Sequence, residues 1–329
     1  MSNDIVLDVR NLRVSFGPEE TRLAPVDDIS FELNQGETLG IVGESGSGKS
    51  TLGMALMCLA PAAQNARIEG SIKLQGRELM GLSADEMRSI RGHSMAMILQ
   101  DPMASLNPVR LLGDQVGEVI TAHQMISRDS LKSRVLKAFT SVRIASPEQR
   151  INAYPHQISG GMRQRIVGAA AIIGQPQVLI ADEPTTSLDV TIQAQYLDLL
   201  KDLQREMGMA MIFITHDFGV VAKMCDRVAV IYAGQIVETA RVRDLFRTPR
   251  HWYTAALIAC VPKLQGEAKR LAAIEGQPPR LVSRKPDQPA ACRFAPRCPA
   301  ADKVCEQAPP ETQLANGAMM RCWHPREAS

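Results

Sequence analysis

Leu39-Gly40-Ile41-Val42-Gly43-Glu44-Ser45-Gly46-Ser47-Gly48-Lys49-Ser50-Thr51 is the stretch that decides the reading of this 329-residue chain. Its first four residues make a short apolar run, expected as a buried strand, and Thr51 to Leu59 carries an apolar series of helical length. The loop between them fits G-x-x-x-x-G-K-[ST], in the strand-to-helix setting that pattern requires. Glycines let successive backbone N–H groups converge on phosphate oxygens. Lys49 brings a point charge for the β- and γ-phosphates, Ser50 a hydroxyl for Mg²⁺, and the helix N-terminus its dipole. Gly43, Ser45, Gly46, Gly48, Lys49, Ser50 and Thr51 are therefore the expected triphosphate-binding residues. A dinucleotide G-x-G-x-x-G is excluded, because Thr51 stands where its last glycine should be.

A phosphate-binding loop serves many reactions, so other residues must choose among them. Val178-Leu179-Ile180-Ala181-Asp182-Glu183-Pro184 reads as a buried strand ending in two carboxylates, with Pro184 closing the ladder. Beside such a loop, Asp182 is expected to hold the Mg²⁺ shell and Glu183 to orient or deprotonate the attacking water. A second apolar run, Met211 to Thr215, is closed by His216, and Gln100 follows the run ending Ile98-Leu99.

Length and composition suit a substantial globular chain with 45% apolar residues. A formal net charge of +2, with Lys and Arg mixed among Asp and Glu, is no polyanion-binding signature, and nucleic acid is not expected as a ligand. No apolar run is long enough to span a bilayer; Val167 to Ile173 reads as a buried helix face. Met1-Ser2-Asn3-Asp4 lacks the basic start of a secretory signal, so a cytoplasmic setting is expected.

Strand patterns run from Ile5 to about Ile98 and resume from Val178 through Val237, which makes an interrupted α/β core. Between about Leu111 and Gly174 the apolar residues take helical spacing: Val116, Val119 and Ile120, then Leu131, Val135 and Leu136, then Met162, Ile166 and Ala170. Ser159-Gly160-Gly161 reads as a cap and turn before a helix starting at Met162. Past Arg250, prolines and glycines predict a loop-rich appendage holding four of the seven cysteines, Cys292, Cys298, Cys305 and Cys322, spaced C-x5-C-x6-C-x16-C. Disulfides are disfavoured in a reducing compartment, and free cysteines belong in cores, as expected for Cys58 and Cys225; metal ligation is the better account of the other four. Spacing alone leaves Zn²⁺ and a [4Fe–4S] cluster both open. His324 after Trp323 reads as surface, and Arg293 and Arg297 as counter-charges to the cluster.

From about Leu7 to Arg250 the residues resemble the nucleotide-binding subunit of an ABC transporter. Phe16 resembles the adenine-stacking aromatic, Gln100 the Q-loop glutamine and Ser159-Gly160-Gly161 the signature sequence. Asp182-Glu183 match the Walker B pair, Ser187-Leu188-Asp189 the D-loop and His216 the switch histidine. Two departures stand out: Met162 replaces the glutamine of LSGGQ, and Pro18 to Arg22 lengthens the spacing from Phe16 to Gly43. The resemblance implies a P-loop NTPase (RecA-like) α/β core with an antiparallel β subdomain and a helical insert, about 101–174, that carries the signature. The nucleotide-binding domain would span 1–250 and a C-terminal extension 251–329.

It further implies ATP hydrolysis in a dimer of nucleotide-binding domains, because one P-loop and one signature motif without internal repeat need a second domain in trans. The partners implied are two membrane-spanning permease subunits and a second ATPase subunit, a paralogue, with an extracytoplasmic solute-binding protein acting indirectly. The chain would sit on the cytoplasmic face of the membrane, with Pro102, Ser105, Leu106, Asn107 and Pro108 on the permease contact. Around Cys292-Arg293-Phe294-Ala295-Pro296-Arg297-Cys298-Pro299 the tail resembles the C-terminal extension of dipeptide and oligopeptide importer ATPases, which implies a [4Fe–4S] cluster and peptide cargo. Nickel, opine or another small solute is the alternative cargo. A soluble ABC-type ATPase of DNA maintenance or translation fits less well: the first needs a coiled-coil or zinc-hook insertion and the second two nucleotide domains in one chain. A nucleotide-binding module without turnover would lack Glu183 or His216, and both are present.

Overall fold

A computed structural model describes residues 4–18, 22–59, 65–186, 188–261, 273–279, 281, 291–314 and 317–327. In chain order the elements begin with β1 (Ile5–Phe16), β2 (Leu23–Asn34), β3 (Thr38–Val42), α1 (Lys49–Leu56), β4 (Arg67–Leu74), β5 (Arg77–Glu78), α2 (Ala84–Ile90) and β6 (Met95–Ile98). A helical stretch follows: α3 (Pro102–Ser105), α4 (Leu112–Thr121), α5 (Arg128–Ser141), α6 (Pro147–Arg150) and α7 (Gly160–Ile172). Then come β7 (Val178–Asp182), α8 (Val190–Met207), β8 (Ala210–Ile214), α9 (Phe218–Met224), β9 (Arg227–Tyr232) and β10 (Gln235–Arg241). The last elements are α10 (Val242–Arg247), α11 (Trp252–Ala259), β11 (Glu311–Gln313) and β12 (Met319–Arg321).

The chain forms two compact units. The first comprises residues 1–7, 33–37 and 74–213. Its strands lie in the order β8-β7-β6, and β6 runs parallel to β7 with Ile98 opposite Ala181. Every residue of β7 is buried, which explains why the sequence is a continuous apolar run and not an alternating one. Leu112, Val116 and Ile120 line one buried stripe of α4, which packs on α5 and α7. The approach is close: a Cβ on Gly113 would overlap the side chain of Ile151. Helix α7 starts at Gly160, two residues before the expected Met162, because the Ser159 side chain accepts from the Met162 N–H and draws both glycines into the first turn.

The second unit comprises 8–32, 38–73 and 214–329. Its strands lie in the order β11-β12-β10-β9-β3, with β3 parallel to β9 (Ile41 opposite Ala229) and β9 antiparallel to β10. Strands β2, β1 and β4 lie side by side in a separate, antiparallel sheet. The tail does more than loop. Trp252–Ala259 is helical, and β12 pairs with β10 through Glu238–Met320 and Thr239–Met319, so the last part of the chain extends the sheet. These strands are three residues each, too short for a periodic signal. Cys58 and Cys225, expected in the core, are only partly buried; Cys225 packs at the margin of a cluster that includes Val42, Val228, Val230, Tyr232, Tyr253 and Phe294.

Candidate functional site

In the second unit, β3 delivers the glycine loop to α1, and the loop could not hold side chains at two of its glycines. A Cβ on Gly48, where φ is +102°, would strike the Pro25 carbonyl, and one on Gly43 would strike that of Ile231. The backbone therefore passes close to neighbouring strands, which leaves room only for glycine at these two positions. Lys49 is only 6% exposed, and its Nζ donates to the carbonyls of Gly43 and Glu44 at 2.8 and 2.9 Å. The helix starts at Lys49, so Ser50 and Thr51 lie in its first turn.

The loop is tethered at three further points. Glu44 N–H donates to the Tyr253 hydroxyl at 2.8 Å, Gly234 N–H donates to the Ser47 carbonyl at 2.9 Å, and the Glu44 carboxylate accepts from Arg297 at 2.8 and 3.0 Å. His216 is exposed just beyond β8, and its neighbour Thr215 donates its N–H to the Ile41 carbonyl at 3.1 Å, two residues before Gly43. Asp217 then caps α9, accepting from Gly219 and Val220. Phe16 is half-buried at the end of β1.

The first unit gathers another set. Asp182 ends β7 and is 4% exposed. Glu183 follows with φ +45°, in the left-handed region, and its Oε2 accepts from Gln100 Nε2 and from Thr186 Oγ1, both at 3.0 Å. Ser159, Gly160 and Gly161 form the cap and first turn of α7, where orphan N–H groups and the helix dipole favour an anion. From α7, the buried Gln164 donates to the Pro184 carbonyl at 2.7 Å, and Gly161 approaches Ile192 so closely that a Cβ would lie 2.9 Å from its Cγ2. Ile192 N–H in turn donates to Asp189, the cap of α8. The start of α7, the residues after β7 and the start of α8 are thus held close by one hydrogen bond and one tight contact. Ser187 lies outside the described residues.

In the C-terminal segment the four cysteines come together. Cys292 N–H donates to the Cys305 carbonyl at 2.9 Å, and Cys298 begins a turn whose carbonyl accepts from Ala301. Burial pushes the thiols of Cys292, Cys298 and Cys322 up, that of Cys322 to about 11, and neighbouring cysteines add to each shift; Cys322 feels all three of the others. A cation bound to such thiols would have to displace their protons, because a metal binds the thiolate. Two expectations change. His324 is not bare surface: its Nε2 meets Asp302 Oδ2 at 3.0 Å, and these two groups lie with Cys305 inside 4.8 Å. Arg293 and Arg297 are committed to carboxylates, Asp27 and Glu44, rather than to the thiols. Sequence reasoning also missed Glu44, Tyr232 and Tyr253, whose partners lie too far along the chain for any local pattern to show.

Comparison with known proteins shows the family to which the chain belongs. A family model described as ABC transporter matches residues 26–186, and one described as oligopeptide/dipeptide transporter, C-terminal region, matches 237–305. The chain is 44% identical to the oligopeptide transport ATP-binding protein OppD of Salmonella typhimurium, over 98% of this chain and 95% of that protein. It is 46% identical to the dipeptide transport ATP-binding protein DppD of Bacillus subtilis, over 97% of this chain and 94% of the relative. Among solved structures, a dimeric ATP-binding cassette in a post-hydrolysis state with ADP and Pi superposes with a TM-score of 0.64 at 25% identity, covering 72% of this chain and 99% of that one. CbiO1 of Clostridium perfringens, part of the ABC transporter complex cbiONQ, superposes at 0.62 and 25% identity, covering 74% and 91%. The fold is that of a P-loop ATPase cassette, and the chain belongs to the ATP-binding subunits of ABC transporters, in their oligopeptide and dipeptide transport branch.

Proposed function

We propose that this subunit hydrolyses ATP to power the import of di- or oligopeptides through a membrane transporter. The observation that carries the reading is the glycine loop ahead of α1, which side chains at Gly43 and Gly48 would block and in which Lys49 is buried. Gly43, Ser45, Gly46, Gly48, Lys49, Ser50 and Thr51 bind the phosphates, and Phe16 stacks on the adenine. Ser50 would offer its hydroxyl to Mg²⁺, which would neutralise charge on the phosphates, and Asp182 and Gln100 would offer a carboxylate and an amide oxygen as further ligands. Glu183 is the base for water, Gln100 orients it, and His216 stabilises the charge that develops in transfer.

Ser159, Gly160 and Gly161, with Asp189, act on the nucleotide of a partner cassette, because one chain carries a single copy of each motif. The dimeric state of the structural neighbour supports this arrangement. The partner is a paralogous ATPase. The pair sits peripherally on two permease subunits at the cytoplasmic face, fed indirectly by an extracytoplasmic binding protein. Among the described residues no helix is long and apolar enough to cross a membrane. Peptide cargo is favoured over nickel or opine by the names of the relatives and by the C-terminal family match.

Cys292, Cys298, Cys305 and Cys322 would hold a [4Fe–4S] cluster, with Zn²⁺ as the alternative, and either would cross-link the loops of the C-terminal segment. In a strain lacking this subunit, restoring the gene should restore uptake of a labelled tripeptide, and Lys49→Ala should not. Uptake of nickel but not peptide would move the cargo assignment while leaving the ATPase intact.

A further inference from the structure

Glu44 puts a carboxylate inside a loop built to hold a polyphosphate, a placement that electrostatics alone disfavours. From the C-terminal segment Arg297 reaches that carboxylate with both terminal nitrogens, Nη1 to Oε2 at 2.8 Å and Nη2 to Oε1 at 3.0 Å. The fork geometry matches a carboxylate edge to edge, which makes it a strong, directional pair. Arg297 itself is walled in: its side chain is 3% exposed, Nε donates to the Glu275 carbonyl at 2.9 Å, and Nη1 donates to the Tyr232 hydroxyl at 3.3 Å. Its position is set by the turn Ala295–Arg297, whose preceding residue Phe294 packs edge-on to Tyr232 and lies 5.4 Å, ring to ring, from Tyr253. Tyr253 in turn holds the Glu44 N–H. One residue of the phosphate loop is thus gripped twice from residues beyond 250, at its backbone and at its carboxylate.

We propose that Arg297 is a positioning residue of the nucleotide site, contributed by the C-terminal segment, which cancels the charge of Glu44 and fixes the loop so that it presents net positive charge to the triphosphate. This rests on the reading of residues 43–51 as the ATP site. Without Arg297 the Glu44 carboxylate would stand uncompensated in a partly buried place and repel the phosphates. With both charges removed, that repulsion disappears.

The test is ATP affinity by calorimetric titration of the full-length protein, comparing wild type with Lys49→Ala, Arg297→Gln, Glu44→Gln and the Arg297→Gln/Glu44→Gln pair, each checked for folding by thermal unfolding. Arg297→Gln should weaken ATP binding about tenfold, the loss shrinking at high salt, and adding Glu44→Gln should bring affinity back to within about threefold of wild type. Arg297→Lys, which keeps the charge but loses the fork, should fall between. If Arg297→Gln binds ATP as wild type does while Lys49→Ala loses it, the Arg297 proposal fails and the ATP site stands. If the double variant stays as weak as the single, Arg297 is merely structural and the proposal fails. Should Arg297→Gln not fold, an Arg297→Lys variant that folds and loses ATP about tenfold overturns it as well. Lys49→Ala binding ATP normally would instead remove the reading of the loop.

Discussion

Gln100 Nε2 donates to Glu183 Oε2 at 3.0 Å, and Thr186 Oγ1 donates to the same oxygen at the same distance. The two residues are 83 apart in sequence, brought together because β6 and β7 are parallel neighbours whose C-terminal ends coincide. Ligands of open α/β sheets bind at such carboxyl ends, so the pair stands where a water-activating group is expected. Glu183→Gln keeps the shape and one acceptor oxygen and removes the base. ATP hydrolysis by the assembled transporter should drop by about 10² to 10⁴ while ATP affinity stays within about twofold. Undiminished turnover in this variant would take Glu183 out of the chemistry.

Gly48→Ala should be far worse than an ordinary glycine substitution. The residue has φ +102°, and the added methyl would meet the Pro25 carbonyl, which is backbone and cannot rotate aside. Strain and collision together should cost more than about 1 kcal/mol of stability and abolish ATP binding, read by urea unfolding and nucleotide titration. Gly46→Ala is the comparison: φ is +77° but nothing lies within 4 Å of the added carbon, so only the backbone term applies and the stability loss should be smaller.

Tyr253→Phe removes the oxygen that accepts the Glu44 N–H while leaving the ring among Tyr232 and Phe294. An N–H left without its acceptor in a partly buried place should cost about 1 to 3 kcal/mol. Because the lost bond belongs to the phosphate loop, ATP affinity should fall alongside the unfolding free energy. Wild-type affinity with lowered stability would confine Tyr253 to packing.

His251 caps α11, its Nδ1 accepting from the Tyr253 N–H at 3.0 Å, and is 1% exposed. Burial pulls it down from an ordinary value near 6.5 to about 4. The folded protein then binds fewer protons than the unfolded chain between those values, so stability contributed by neutral His251 is present above about pH 6.5 and is lost as pH falls towards about 4. At pH 5 the loss should be about 2 kcal/mol relative to pH 7, at about 1.4 kcal/mol per unit. Glu238, whose carboxylate accepts from the Arg250 and His251 N–H groups, is pushed up by burial and titrates in the opposing sense. His251→Asn preserves a capping oxygen and removes the titration, so the difference between the two pH profiles isolates the histidine. Identical profiles would contradict the assignment.

Cys322 joins the other three thiols from a strand end seventeen residues beyond Cys305. Anaerobically purified protein should carry iron and acid-labile sulfide with a brown visible absorption, lost in Cys298→Ser and Cys322→Ser, together with a lowered melting temperature. Zinc without iron would select the alternative metal, and a metal-free, colourless protein of unchanged stability would remove the metal site altogether.

The motifs were legible in sequence because each is a local device. A strand ending in glycines and Lys49-Ser50, a serine capping α7, and a buried strand ending in Asp182-Glu183 are each specified by backbone turns and by residues a few positions apart. The helical stretch between Leu111 and Gly174 was legible for the same reason, since its stripe repeats within every two turns. Tertiary structure alone decided how the tail is used. Arg297 and Glu44 are separated by 253 residues, Arg293 and Asp27 by 266, and β12 finds β10 across an intervening segment that carries no periodic signal. Charge complementarity and sheet pairing between distant segments leave no mark in local spacing, because each partner taken alone is one more arginine, one more glutamate or three residues of unremarked chain. Only when the fold closes the intervening loop does the partner's identity become a physical fact.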